Sequence, residues 1–359
     1  MITKLMIRYA IMKSKKALLP VLCCCLLNII YPSFLYAQAD IHFSQFYETS
    51  ILRNPALTGV FSDDYKAGVY YRSQWSSITN PYTTVLLSAE SRVSISRISS
   101  DFLSFGVLAY NDQAGSLDQS ITSVYPAINY NKCMNPDHNT YLSAGFTGGY
   151  QQYSFDPSKA TFNNQYVGGL FSPFNPTGEN LPRPKMNLFD IGTGINYNTS
   201  RGEDNRTTYV IGVSGYHFTQ PDFSYYSTPN INENIRWNVN AAASFTMSEN
   251  VLLQINGNYA VQGPYTEIIA GGLLNWTAAT DGLHTVFVLS GGLFYRYDDA
   301  IIPVVKLKYK NMAVGISYDV NVSTLKAASD LQGGYEFTLF YTGNFSNNDV
   351  LKKTVCPKF

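Results

Sequence analysis

Charged side chains and long apolar runs are both scarce in this chain. Asp, Glu, Lys and Arg make up 14% of its 359 residues. After residue 37, no stretch reaches the roughly 18 uninterrupted apolar residues that a membrane-spanning helix requires. Any membrane crossing by that part of the chain must therefore use β-strands, because only helices and closed barrels satisfy the backbone in lipid.

A surplus of basic residues is absent once the first 37 residues are set aside. That segment holds five basic residues and no acidic one, so the remainder carries 20 basic and 25 acidic residues, a net charge of −5. Negative charge makes nucleic acid an unfavourable partner. We therefore predict that nucleic acid is not bound.

Catalytic and metal-ligand patterns are missing as well. The four histidines, His42, His138, His217 and His284, lie on separate segments without metal-ligand spacing. His217 could serve a barrel lipase together with a serine and a carboxylate, but such triplets occur in any chain of this length. We predict that the protein is not an enzyme and uses no cofactor and no metal.

The first 37 residues have the order of a secretory signal peptide. Five basic residues, Lys4, Arg8, Lys13, Lys15 and Lys16, precede the apolar run "ALLPVLCCCLLNIIYPSFLYA". Small residues at Ala37 and Ala39 offer two cleavage positions, and we assign residues 1–37 to the signal peptide. An uncleaved membrane anchor is less favoured, because Pro20 and Asn28 interrupt a short run.

The later sequence alternates apolar residues with polar or small ones. In "MAVGISYDVN" (312–321), the even positions are apolar or aromatic and the odd positions are polar or small. Fourteen such segments occur: 64–74, 82–93, 102–111, 120–131, 140–153, 187–198, 207–218, 235–247, 251–261, 266–277, 285–297, 302–310, 312–321 and 334–345. Because these lengths suit membrane strands of about 9 to 11 residues, the sequence predicts an all-β fold, a transmembrane antiparallel β-barrel of about 14 strands over residues 63–345. A soluble β-sandwich is the less favoured alternative.

The connections between these segments predict an orientation. The long ones, 154–186, 219–234 and 322–333, all follow odd-numbered strands, which is typical of extracellular loops in outer-membrane barrels. Aromatic residues near strand ends suit interfacial girdles. We therefore predict an integral outer-membrane protein with both termini periplasmic. Residues 38–62 form a periplasmic arm packed at the barrel mouth, too short for a plug domain, and 346–359 form a periplasmic tail.

Four stretches resemble the PorP/SprF family of type IX secretion outer-membrane proteins. They are "HFSQFYETSILRNPALTGV" (42–60), "AGVYYRSQWSSI" (67–78), "SYDVNVSTLKAASDLQGGYEFTLFY" (317–341) and the terminal "CPKF" (356–359). Lys358 departs from the family ending, which has arginine there. The resemblance implies a barrel that helps large cell-surface proteins, gliding adhesins among them, to be exported or retained. It also implies contact with the periplasmic ring and peptidoglycan-linked components of that machine, besides outer-membrane lipid.

Candidate partner-binding residues lie in the arm, beside the first strand and in two loops. They are Asn54, Pro55, Trp75, Phe162, Tyr166, Phe171, Phe174, Leu325 and Lys326. The aromatic residues make the 156–186 loop too apolar for a simple solvated tether, so we expect it to fold over the barrel mouth or to contact cargo. Packing of the loop on itself remains an equal alternative.

Charged residues on the polar strand faces should point into the lumen. They include Lys66, Arg72, Glu90, Arg92, Asp190, Arg296, Lys306, Lys308, Lys310, Asp319 and Glu336. A charged pore that selects anions is one interpretation, and with it the alternative function of a porin or small-solute channel. Because the signs are mixed, we favour a salt-bridged lumen that is effectively filled.

Two cysteines remain outside the leader, Cys133 and Cys356. Both are predicted to lie on the periplasmic side. The tail from Phe345 to Cys356 could span about 35 Å if extended, which is enough to cross beneath the barrel. An intramolecular disulfide in this oxidising compartment is therefore a candidate, and two unpaired thiols or a bond to another protein are the alternatives.

Overall fold

A computed structural model describes residues 40–76, 80–95, 100–180, 182–225, 231–281, 284–324 and 329–345. The predicted signal peptide, the C-terminal tail with Cys356, and the candidate residues Leu325 and Lys326 lie outside the described residues.

The described residues form a closed antiparallel barrel of fourteen strands, as predicted. The strands are β1 (Tyr65–Gln74), β2 (Tyr82–Ser94), β3 (Phe102–Ala114), β4 (Gln119–Asn135), β5 (Thr140–Ser154), β6 (Tyr166–Val167), β7 (Leu170–Phe171), β8 (Lys185–Arg201), β9 (Thr207–Tyr216), β10 (Arg236–Ser248), β11 (Val251–Gln262), β12 (Tyr265–Asp281), β13 (His284–Arg296), β14 (Ala300–Tyr309), β15 (Met312–Asn321) and β16 (Gln332–Gly343). Of these, β6 and β7 form a separate two-stranded hairpin. Each barrel strand pairs with its neighbours along the chain, and β1 pairs with β16 to close the barrel.

The helices whose bounds fall within the described residues are single turns. One α-helical turn covers Ser50–Arg53, and 3-10 turns cover Phe46–Glu48, Pro55–Leu57, Pro157–Lys159, Asn163–Gln165 and Glu203–Asn205. None of the helices in this part of the chain has the length and apolar character needed to cross a membrane.

Alternation along the strands gives the barrel an apolar outside and a polar inside. On β8, Phe189 is 70% and Ile195 is 60% exposed, whereas Asp190 is buried. The same pattern holds on β15, where Ile316 faces outward and Ser317 inward. An apolar outer surface around a polar interior is the arrangement of a membrane barrel and is the reverse of a soluble one.

The two ends of the barrel differ. The connections 155–184, 217–235 and 322–331 lie at one end, which we call the loop end, and the tight connections 136–139, 249–250 and 310–311 lie at the other, the turn end. The predicted difference in loop length is therefore present. Cys133, near the end of β4, lies at the turn end and is half-buried.

The arm was predicted to pack at the barrel mouth, whereas its described residues lie against the inner wall of the barrel. The arm, here residues 40–62, runs through the lumen: Asp40 contacts strand residues at the loop end, and Phe61 contacts Arg92 at the turn end. Polar residues along it, such as Ser44 and Gln45, are fully buried against the wall. The prediction weighed only a folded plug domain as a way for these residues to fill the lumen, and it rejected that because the segment is short. About twenty residues are long enough to cross a membrane barrel even with the single helical turns that the arm contains.

Candidate functional site

The arm and the wall that surrounds it form the candidate site, and the Asn54-Pro55-Ala56 turn lies at its centre. Asn54 Oδ1 accepts a hydrogen bond from the Ala56 amide (2.9 Å), which caps the 3-10 turn that Pro55 begins. Its Nδ2 donates to Asn240 Oδ1 (2.9 Å) and to the Ile195 carbonyl (3.2 Å). One side chain therefore shapes the turn and fastens it to two strands.

Glycines on the wall make room for this turn. A Cβ atom on Gly145 would lie 2.3 Å from the Ala56 nitrogen, and one on Gly194 would lie 2.1 Å from Asn54 Oδ1. Both distances are far below ordinary contact, so any larger residue must displace the arm. On the same side of the lumen, Asn129 Nδ2 donates to the carbonyls of Ala56 and Thr58 (both 2.9 Å).

Ion pairs hold the middle of the arm. Glu48 pairs with Lys66 of β1 (2.9 Å) and with Lys306 of β14. All three side chains are largely buried, so each charge depends on the others to offset its lost hydration. Nearer the turn end, the Gly59 amide donates to Glu90 Oε2 (2.9 Å).

A second group of charges surrounds residues 42–45. Arg72 and Arg296 both reach His42 Nε2, at 3.0 and 3.2 Å, and both pair with Asp319. Beside them, Glu336 accepts hydrogen bonds from the amides of Ser44 and Gln45. The lumen is therefore lined with ion pairs, as the favoured interpretation had it, and the arm supplies many of the partners.

The start of the arm lies in a cluster of charges at the loop end, here the loop-end cluster: Asp40, Asp190, His217, Glu233 and Arg236. Asp40 Oδ2 contacts His217 Nε2 (2.7 Å) and Arg236 Nη1 (3.2 Å). On the other side of the ring, His217 Nδ1 lies 3.0 Å from Asp190 and 3.3 Å from Glu233. His217 has a left-handed backbone (φ 61°), which turns the chain immediately after β9.

The negative potential of the loop-end cluster shifts two pKa values. Burial, reinforced by the charges of Asp40 and Asp190, raises the pKa of Glu233 to about 8. Burial alone would lower the pKa of His217, but the charge of Asp40 and the nearby Asp190 carboxylate outweigh it and raise that pKa to about 11. Both groups therefore hold a proton near neutral pH, Glu233 mainly because it is buried and His217 because of the carboxylates around it.

The predicted partner-binding residues separate into two groups in the structure. Asn54 and Pro55 are buried in the lumen, so their predicted contact with another protein has no support in this conformation. Trp75 is half-buried at the loop end, where its ring packs on Tyr82 at a centroid distance of 5.0 Å.

The loop 155–184 presents the other aromatic candidates. Tyr166 and Phe171 pair across the β6–β7 hairpin, with ring centroids 5.3 Å apart, and both stay exposed. Phe174 is 95% exposed and Phe162 is half-buried. The loop therefore packs on itself only in part, and it leaves an aromatic surface on the loop end.

Sequence reasoning did not find the loop-end cluster or the glycine contacts. Asp40, Asp190, His217 and Glu233 are far apart in the sequence, so no spacing pattern connects them. Gly145 and Gly194 occupy ordinary strand positions, so nothing in the sequence marks them as contacts of the arm. The useful signal in the sequence was the "NPA" stretch at 54–56, because such a turn needs a binding surface of complementary shape.

Comparison with known proteins agrees with this architecture. The profile of the type IX secretion system membrane protein family PorP/SprF matches residues 35–341. Among solved structures, a TodX deltaS2S3 mutant, a monoaromatic hydrocarbon channel, shares 8% identity with a TM-score of 0.52, covering 82% of this chain and 94% of that one. The Ralstonia pickettii toluene transporter TbuX shares 10% identity with a TM-score of 0.49, covering 83% and 93%.

No curated protein matched the chain. The likeness to TodX, at such low identity, supports the barrel fold alone. The family profile spans the arm and all fourteen barrel strands almost to the end of β16, and on that ground this chain belongs to the PorP/SprF family of type IX secretion system membrane proteins.

Proposed function

We propose that this barrel lies in the outer membrane as a component of the type IX secretion system and supports the export or surface retention of large cell-surface proteins, gliding adhesins among them. In this proposal it is an interaction protein and neither an open channel nor an enzyme. The observation that carries the proposal is the arm in the lumen, because a chain that is ion-paired and hydrogen-bonded to the wall occupies space that solutes would use.

The surface available for cargo is at the loop end. The hairpin residues Tyr166, Val167, Leu170 and Phe171, with Phe174 nearby, expose apolar and aromatic side chains next to one another. Aromatic residues are enriched at the centres of protein interfaces, and exposed apolar groups of this kind mark contact sites. With the loop end outside the cell, this surface faces proteins that leave the secretion channel.

The base of the same loop is firmly placed. Phe155 packs edge-on against Tyr225 (4.8 Å between centroids), and Arg183 pairs with Asp222 (2.8 Å). These contacts join the loop to the neighbouring connection 217–235, so the hairpin projects from a supported base. The turn end, with its tight connections, is left for the periplasmic ring and peptidoglycan-linked components.

Affinity capture tests the proposal. The barrel is purified from detergent-solubilised outer membranes of cells that carry either the native loop or a Leu170→Ser, Phe174→Ser variant, and the co-purifying proteins are identified. We expect secretion cargo or ring components with the native barrel and less cargo with the variant. Ser172→Ala, in the same loop, is the matched control. Equal amounts of cargo with both loops would remove the hairpin from the function.

A small-solute channel is the second candidate, and the polar lumen wall is the observation that favours it. If the arm left, the barrel would present Arg72, Asp319 and Glu336 to water and could pass polar solutes. Purified protein in a planar bilayer separates the two functions. Little steady conductance is expected for the secretion component, and stable open-channel steps would favour the solute channel.

A further inference from the structure

The start of the arm is held at the loop end of the barrel. The Asp40 amide donates to Gln262 Oε1 (3.1 Å), and the Asp40 carboxylate contacts His217 Nε2 (2.7 Å) and Arg236 Nη1 (3.2 Å). Gln262 ends β11, His217 follows β9 and Arg236 begins β10, so all three partners belong to the loop end. These contacts fix the point at which the described chain enters the lumen.

The other end of the arm leaves the lumen at the turn end. Arg92, near the end of β2, donates from its guanidinium to the carbonyls of Phe61 and Ser62 (both 2.8 Å). Shortly after them, the Asp64 amide donates to the carbonyl of Gly343, the last residue of β16 (2.9 Å). The chain then continues directly into β1. The direction of the arm, from loop end to turn end, is therefore set by contacts at both of its ends.

The number of crossings decides where the two sides of the chain emerge. The fourteen antiparallel strands of the described barrel return the chain to the side on which β1 begins, so β1 starts and β16 finishes at the turn end. The arm adds one crossing in front of β1. With this odd number of crossings, the chain enters the barrel on one side and leaves β16 on the other.

The arm is enclosed tightly just after its start. Phe43 is 3% exposed, and Ser44 and Gln45 are both 0% exposed. Their neighbours belong to the wall: the Phe43 ring packs on Tyr70 (5.8 Å between centroids), and Glu336 accepts hydrogen bonds from the amides of Ser44 and Gln45. Because the wall closes directly on these residues, a second pass of chain has no open face of the arm to lie against there.

We propose that the mature chain begins on the cell-surface side of the outer membrane, whereas the chain after β16 continues in the periplasm. Placing the loop end outside the cell rests on the proposed function, but the opposite placement of the two chain ends does not. The proposal departs from the prediction that both termini are periplasmic, because that prediction left out the crossing made by the arm.

The arm then connects the two faces of the membrane through a single covalent chain. Asp40 is half-buried among charged side chains at the loop end, so a protein outside the cell can compete for its contacts directly. The other end of the arm is held by Arg92 and continues into the paired strand β1. Displacement of Asp40 would therefore free the start of the arm at the cell surface while its other end stays in place.

Epitope tags on intact cells test the proposal. A short uncharged tag is inserted between Ala39 and Asp40, behind both predicted cleavage positions, so that it stays on the mature chain. Matched variants carry the same tag between Glu179 and Asn180, in the exposed loop at the loop end, and after Phe345, at the turn end. We expect antibody labelling at 39–40 to equal that at 179–180, and labelling after Phe345 to require permeabilisation of the outer membrane.

The three tags separate this proposal from the orientation on which it rests. Labelling at 39–40 only after permeabilisation, with 179–180 labelled on intact cells, would place the chain start in the periplasm and overturn the proposal. Labelling on intact cells after Phe345 but not at 179–180 would show that the barrel is inverted. That result would overturn the proposed function together with the outer placement of the chain start.

A smaller probe covers the case in which the tag prevents folding. A single cysteine inserted between Ala39 and Asp40, in a chain carrying Cys133→Ser and Cys356→Ser, should react with a membrane-impermeant maleimide on intact cells. Heat-modifiable migration and protection of Arg53 from trypsin show that the barrel is folded and the arm seated when the label is read. Reaction only after permeabilisation would overturn the proposal in the same way.

Discussion

Substitution of a single glycine should release the arm while leaving the barrel closed. A Cβ on Gly145 would lie 2.3 Å from the Ala56 nitrogen and 2.3 Å from the Pro55 carbonyl carbon. Ordinary contact between such atoms is about 3.5 Å or more, so Gly145→Ala must move the Asn54-Pro55-Ala56 turn by roughly 1 Å. The hydrogen bonds of Asn54 to Asn240 and Ile195, and those from Asn129, are too short to survive that shift intact.

The size of the effect follows from those hydrogen bonds. Losing three or four of them, at about 0.5–1.5 kcal/mol each, destabilises the seated arm by about 1.5–6 kcal/mol. Because about 1.4 kcal/mol corresponds to a tenfold change, the population of released arm should rise by at least about tenfold. Pairing of β1 with β16 does not involve the arm, so the barrel itself should stay closed.

Limited trypsin digestion measures arm release through Arg53, which is half-buried in the lumen. Cleavage there tracks the population of released arm when opening and reclosing are fast. We expect Gly145→Ala to be cut after Arg53 much faster than the native protein. The matched control is Gly148→Ala on the same strand, where an added Cβ has no neighbour closer than 4.0 Å. If Gly145→Ala is cut at the native rate, the arm does not occupy the site described.

Three further predictions concern the ion pairs, the orientation and the cysteines. Glu48→Gln leaves Lys66 and Lys306 without their carboxylate and should lower the free energy of unfolding by about 2–4 kcal/mol in urea, whereas Glu179→Gln, on the exposed loop, should change it little. Epitope tags in 156–180, 220–225 or 322–324 should be labelled on intact cells, and a tag after Phe345 should not; surface labelling of the latter would contradict the assigned orientation. Mass spectrometry of non-reduced digests, with alkylation before lysis, should recover a Cys133–Cys356 bridge, and two free thiols would refute it.

The barrel could be predicted from the sequence because alternation reports directly which way a strand residue faces. Phe189 and Ile195 lie in lipid-facing positions and Asp190 in a lumen-facing one, as the period of two requires. Strand ends were less predictable. For example, β8 runs to Arg201, beyond the predicted end at 198, because strand pairing with β9 continues past the clearest alternation.

The arm could not be placed from the sequence for a physical reason. Its residues have the composition of a surface segment, polar with a turn at Asn54-Pro55, and a hydrated lumen has the same preferences as a surface. Local pattern therefore cannot distinguish the outside of the barrel from its inside. What distinguishes them is complementarity with distant residues, such as Gly145 beneath Ala56, and that information is spread over the whole chain.

Deletion of the arm tests whether it alone closes the barrel. Without residues 42–58, Lys66 and Lys306 lose Glu48, and with Lys308 they line one wall of a polar lumen. Acidic residues line the same lumen, among them Glu90 opposite Lys66, so the wall carries both signs of charge. A deletion variant that keeps residues 1–41 should migrate as a folded barrel and show stable conductance steps in a planar bilayer. Adding Lys306→Gln removes a positive charge from the lumen and should shift the reversal potential in a salt gradient toward cation preference. A folded deletion variant that stays silent would mean that the loop-end connections, and not the arm, close the pore.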